Sequence, residues 1–212
     1  MTTLAIMKAR IADELSRDDL TSQIAYAIGD AVAAYEDERF FFNESRGLTF
    51  PTVIDQEFYT ESDAADIANL VKIDYVSLLT GDQPFQLLPM RPSEIEFLST
   101  NGTSTGQPNW FLLYDESIRL YPVPDAIYTV RIAGVLKTAA PATDAEASNP
   151  WMTKAERLIR SRAKLELALH VLKDIELGAV MQQAVDEAWV QLKSRTAQIT
   201  QIGDGKVRAM EF

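Results

Sequence analysis

The side chains able to do chemistry are few and widely spaced. His170 is the single histidine and there is no cysteine. An imidazole is the usual general base near neutral pH. This one lies between Leu169 and Val171 in an apolar helical repeat, where a packed or half-exposed helix position is the ordinary reading. Carboxylates are plentiful, and Asp18-Asp19 and Glu36-Asp37-Glu38 are the tightest clusters in which a Mg²⁺ site would be sought. Adjacent residues of a helix point in different directions, which is poor geometry for a shared ion. Both clusters fall at helix ends, where capping and solvation explain acids. Residues 101–106, Asn-Gly-Thr-Ser-Thr-Gly, have the glycines of a phosphate cradle but not the following lysine and Ser/Thr. Trp110, Trp151 and Trp189 have no interleaved cations, so they read as core or interface anchors and not as stacking platforms. No catalytic residue, cofactor site or metal site is assigned.

Composition narrows the field further. A hydrophobic fraction of 47% in 212 residues is enough for a substantial core. Without cysteine the chain can carry neither disulfides nor thiolate metal sites. The first ten residues lack the basic start and apolar run of a signal peptide, and the apolar stretches are too short to span a bilayer. A soluble protein made in a cytoplasm is expected. The net charge of −11 is unevenly placed. Residues 1–150 hold 10 Lys/Arg against 23 Asp/Glu, and residues 151–212 hold 10 against 8. Phosphate backbones are bound by clustered cations, so the acidic part does not wrap nucleic acid. It reads as a solvated surface, or more sharply as a wall that DNA slides past.

Three kinds of element must position these residues. Thr2 or Thr3 caps a first helix with Leu4, Met7, Ile11 and Leu15 on one face. Asp18 or Asp19 is expected to cap a second, with Ile24, Ile28, Val32 and Tyr35. The period then changes. Phe40-Phe41-Phe42 reads as a strand entering a turn at residues 43–47, with a return at 48–50. Further strands are expected at 56–60, 70–79 and 85–88, and a short helix starts at Pro92. Residues 110–114 and 118–121 flank Asp115-Glu116-Ser117 as a hairpin. Residues 122–125 form a proline-fixed turn, and Tyr128, Val130 and Ile132 alternate with polar neighbours.

After an apolar-poor connector the helical period returns. Trp151, Ala155, Leu158, Leu165, Leu169 and Leu172 form one stripe that ends at Gly178. Met181, Val185, Ala188, Leu192 and Ile199 form another. The expected class is α+β: a four-helix bundle formed by the N- and C-terminal helix pairs, with an inserted antiparallel β-rich subdomain. Its divisions are residues 1–39, the first helix pair; 40–137, the insert; 138–150, a linker; 151–202, the second pair; and 203–212, an extended tail.

Residues 114–131 carry a resemblance. An apolar strand runs into Tyr121-Pro122-Val123-Pro124, a small turn follows, and Tyr128-Thr129-Val130-Arg131 opens the next strand. In this segment, and in the layout of its helices, the chain resembles the head-to-tail adaptor, or head completion, proteins of tailed phages, especially short-tailed ones. The resemblance implies a non-enzymatic virion subunit assembled in the host cytoplasm. It implies a homo-dodecameric ring beneath the portal protein that extends the DNA channel, passes DNA without reading its sequence, and seats tail or nozzle proteins. By position in the chain it assigns portal contact to Lys206, Val207, Arg208, Met210 and Phe212. Another neck or tail subunit is the structural alternative, and a small acidic metal-dependent hydrolase is the enzymatic one.

Overall fold

A computed structural model describes residues 2–80, 83–100 and 104–201. The chain divides into two compact units, Asn43–Lys137 and the combination of Met1–Phe42 with Thr138–Phe212.

In the helical unit, α1 (Leu4–Leu15) is capped by the Thr3 hydroxyl, which accepts from the Ile6 N–H at 3.3 Å. Met7 and Ile11 are buried beneath it. Neither aspartate caps α2 (Thr21–Ala33): Leu20 stands at its N-cap without a side-chain bond. Asp19 instead accepts two hydrogen bonds from Arg17, at 2.7 and 2.8 Å. That bonding holds the Asp19 carboxyl below its usual range. The C-terminal stretch is more broken than its stripe predicts. It forms α4 (Pro150–Thr153), α5 (Glu156–Glu166), a π-helical turn (Leu167–Leu172) and α6 (Ile175–Gln201). The break falls at Lys173, which is left-handed at φ 55°, and not at Gly178. Asp174 restarts the helix there by accepting from the Leu177 N–H at 2.9 Å.

Residues 43–137 form a seven-stranded curled sheet, not a small insert. The strands are β1 (Glu44–Pro51), β2 (Phe58–Tyr59), β3 (Leu70–Thr80), β4 (Gln83–Pro89), β5 (Trp110–Tyr114), β6 (Ser117–Tyr121) and β7 (Thr129–Leu136), with α3 (Pro92–Thr100) between β4 and β5. Their order is β1-β7-β3-β4-β5-β6-β2, antiparallel except where β4 meets β5. The expected four-helix bundle with a β-rich insert is therefore wrong. The protein is α+β with this sheet and, among the described residues, six α-helices. The physical reason is that each unit encloses its own core. Phe50, Tyr59, Val76, Leu78, Ile118 and Val130 close the sheet's, while α1, α2, α4 and α6 gather on α5. α3 belongs to the sheet unit.

The aromatic triplet is a second correction. Phe40, Phe41 and Phe42 form no strand; β1 begins only at Glu44. Phe40 is fully buried in the helical core, edge-on to Trp151 and Trp189 at 5.8 Å each.

Strand β3 is bulged twice against β7, between Leu70 and Lys72 and between Ile73 and Tyr75. Bulges bend and twist a strand, and here they press its backbone against Gly134. A Cβ at Gly134 would lie 2.2 Å from the Lys72 carbonyl oxygen and 3.2 Å from the Ile73 Cα. Gly134→Ala should therefore cost roughly 2–3 kcal/mol of stability, as overpacking against backbone does. At Gly178 the nearest obstacle is only the tip of Leu169, at 2.7 Å. Gly178→Ala should fall within about 1 kcal/mol of the native protein, because helix propensity offsets the contact. Thermal unfolding of the two variants side by side checks both.

Candidate interaction surfaces

The chemical candidates do not converge. His170 is exposed on the π-helical turn, its Nε2 3.3 Å from Glu166 Oε2. Asp18 and Asp19 lie on the exposed turn between α1 and α2. Glu38 receives the Lys193 Nζ at 2.6 Å, and the same ammonium stands 4.6 Å from the centre of the Trp189 ring. Among the described residues no three His, Asp or Glu side chains group as metal ligands. Residues 102–106 spell Gly-Thr-Ser-Thr-Gly, the spacing of a hydrolase nucleophile elbow. An elbow needs a strand leading in and a helix leading out. Here α3 leads in and β5 leads out, the reverse order. The Ser104 carbonyl accepts from the Val123 N–H at 2.9 Å, and Thr105 forms an isolated bridge to Val123.

The tryptophans divide. Trp151 is fully buried and its indole N–H donates to the Thr138 carbonyl at 2.7 Å. Trp189 is partly buried and stacks on Tyr35 at 5.3 Å. Trp110 is half-buried beside Tyr121.

Sequence reasoning passed over Arg119. It is 6% exposed on β6, between buried Ile118 and Leu120. Its Nε donates to Glu57 at 2.5 Å, one terminal nitrogen donates to Glu96, and the other donates to the Ser99 hydroxyl at 2.7 Å. The Phe58 ring lies 5.1 Å from the guanidinium carbon. One planar fork thus ties α3 and the β2 edge to β6. The one sequence signal was a cation inside an apolar strand, and its partners lie too far along the chain to be read from it.

Among the described residues, two groups of exposed apolar side chains are defined by their surroundings. At one end of the sheet unit, Thr52 holds the 52–55 turn to the 124–128 turn. Its N–H donates to the Tyr128 carbonyl at 2.7 Å. Its hydroxyl donates to the Ala126 carbonyl at 3.0 Å and accepts from the Tyr128 N–H at 2.8 Å. The two turns leave Val53, Ile54 and Ile127 exposed, Ile127 at 72%. Beneath them Tyr59 is buried, its hydroxyl donating to the Gln56 carbonyl at 3.0 Å, and burial pushes its phenol up. In the helical unit, Tyr26 of α2 and Val171 border an open cleft of about 240 Å³ that His170 also lines. Leu169 stands exposed on the π-helical turn, and Ile175 at the start of α6. Apolar side chains gathered in this way mark contact surfaces more often than catalytic ones.

The sequence matches the family of the SU10 adaptor protein over residues 2–208. The chain belongs to that family. It is a structural adaptor of phage, a virion component, and the family is structural in character. The match supports the adaptor resemblance of residues 114–131 but not a restriction to short-tailed phages. No curated protein matches the chain in sequence. In this adaptor no helix among the described residues is long and apolar enough to cross a membrane. Lys206, Val207, Arg208, Met210 and Phe212, the residues assigned to portal contact, lie outside the described residues.

Proposed function

We propose that this adaptor is the subunit of a homo-dodecameric ring that docks on the portal protein, extends the DNA channel and seats the tail or nozzle proteins. The observation that carries the reading is the family match across 2–208. Two physical features support it. Each unit leaves large apolar side chains in water, Tyr26 and Ile175 on one and Ile54 and Ile127 on the other, as subunits awaiting partners do. The strongly acidic balance of residues 1–150 suits a channel wall from which DNA is repelled.

The C-terminal segment, with Lys206, Val207, Arg208, Met210 and Phe212, is the portal-docking part in this proposal. Mixing the purified chain with its portal and imaging the product by electron microscopy tests the reading. Rings seated on portals are expected; the absence of both rings and portal binding would overturn it, and a ring found elsewhere in the neck or tail would replace it with the other structural role. Deleting residues 205–212 should leave the circular dichroism spectrum unchanged and weaken portal affinity on the order of ten-fold, about 1.4 kcal/mol. Unchanged affinity would remove the segment from the contact.

A further inference from the structure

Helix α5 carries a different charge on each of two flanks. Where it begins, it leaves against α6 a cleft of about 200 Å³ lined by Lys154, Arg157 and Arg195 and by no carboxylate. The floor is apolar, made by Ala155, Leu158, Ala188 and Leu192, all buried. Alanine at two of these four positions leaves a hollow that larger side chains would fill. Arg157 is engaged, donating to Gln191 at 2.9 Å and to Glu187 at 3.1 Å. Arg195 lies over the Phe41 ring at 4.8 Å. Both Lys154 and Arg195 are exposed, and among the described residues neither has a carboxylate partner. The chain as a whole has a net charge of −11, so positive charge left unbalanced in a cleft is a local arrangement.

Where α5 runs on into the π-helical turn, it forms with α2 the cleft of about 240 Å³ bordered by Tyr26 and Val171. The charged lining here is Asp30 and Glu166, with His170 beside them and no lysine or arginine. Glu166 is engaged, accepting from Arg162 at 2.6 Å and lying 3.3 Å from His170. Asp30 has no cation partner among the described residues, and it is the one charged residue in the thirteen of α2. An outward helix face is ordinarily charged, yet on this one Tyr26 stands 73% exposed, one turn before Asp30. Arg157 and Leu158 line the first cleft, Glu166 and Leu167 the second. Each pair of equivalents is nine positions apart, two and a half turns at about 3.6 residues per turn, so the clefts open on opposite sides of the helix.

We propose that these two flanks bind each other between copies of the chain: the Tyr26–Asp30 face of α2 on one copy seats in the cationic cleft of the next. Asp30 then meets Lys154 and Arg195, and the Tyr26 ring covers the apolar floor. Tyrosine is a common interface anchor, and opposed charges fix register and reject wrong partners. A patch of one sign repels its own kind, so the contact is heterologous and joins copies head to tail. Duplex DNA is a poorer occupant, because it is held by many cations spread along a surface and not by three in a concave cleft. That repeated contacts close into a ring rests on the adaptor reading; that the two flanks meet does not.

The chain contains no cysteine, so introduced thiols report the contact without background. Gln23→Cys marks the α2 flank and Gln191→Cys the cationic one. The two full-length variants are mixed, in solution and on the portal, and treated with a short bismaleimide. Unlike variants should cross-link and like variants should not. Adding Asp30→Arg to the Gln23→Cys copy should lower the yield at least ten-fold. Adding Lys154→Glu with Arg195→Glu to the Gln191→Cys copy should then restore it. No cross-link between unlike variants in either setting would overturn the proposal, as would a yield that Asp30→Arg leaves unchanged. A cross-link of Gln191→Cys to itself would overturn the choice of occupant, and so would loss of the cross-link to excess short duplex DNA at low salt, the sign of a phosphate site. A ring on the portal without the cross-link removes this contact and leaves the adaptor reading; the cross-link without a ring does the reverse.

Discussion

Trp151→Ala should lower stability by about 3–5 kcal/mol, the range for removing a fully buried large aromatic. Trp151 has no solvent exposure. Its ring meets Phe40 and Phe42 edge-on, at 5.8 and 5.3 Å between centres, and its N–H is bonded to Thr138. Asn149 caps the helix that carries it, accepting from the Trp151 N–H at 3.1 Å. The cavity would lie where the start of α4 meets the aromatic triplet, so little can collapse into it. A domain's whole margin is roughly 5–15 kcal/mol. With a urea slope of about 2 kcal/mol per molar, the midpoint should fall by about 2 M. Trp151→Phe retains most of the ring packing and loses the bond to Thr138, so it should cost only about 1–2 kcal/mol. Urea titrations followed at 222 nm separate the two variants. Equal losses would place the effect in the hydrogen bond instead of the packing.

Arg119→Ala should cost roughly 2–3 kcal/mol and loosen α3. Breaking a buried ion pair from one side typically costs about 3–5 kcal/mol. The lower figure applies because the partners can recover water, Glu57 being 24% and Glu96 70% exposed. Arg119→Lys should recover only part of the loss, since one ammonium cannot serve Glu57, Glu96 and Ser99 in the geometry of a planar fork. Arg119→Met should do better than alanine by keeping the stem packed near Phe58. Chemical denaturation gives the energies, and amide exchange across Pro92–Thr100 reports the helix. Exchange there should accelerate in the alanine variant. An unchanged rate would mean that Ile95, which is fully buried, holds α3 without help from the arginine.

Much of the local structure was legible in the chain because it is decided locally. Thr3 followed by Leu4, Met7, Ile11 and Leu15 specifies a capped amphipathic helix with no need of a partner. Asp115-Glu116-Ser117 between apolar runs specifies a hairpin, which the structure closes in two residues, Ser117 already pairing with Tyr114. Alternation at Val130 and Ile132 specifies the buried face of β7. The shortage of histidine, cysteine and phosphate-binding motifs was likewise a property of composition, and the adaptor-like segment at 114–131 was written in consecutive residues. What the tertiary structure decided was every question whose answer depends on segments far apart. Three consecutive phenylalanines have no period, and only Trp151 and Trp189 arriving from the other end of the chain draw Phe40 into the helical core. Arg119 finds its acceptors at 57, 96 and 99, across three separate elements. β1 pairs with β7 and β3 with both β7 and β4, and these long-range ladders made a full sheet where local strand signals had read as an insert.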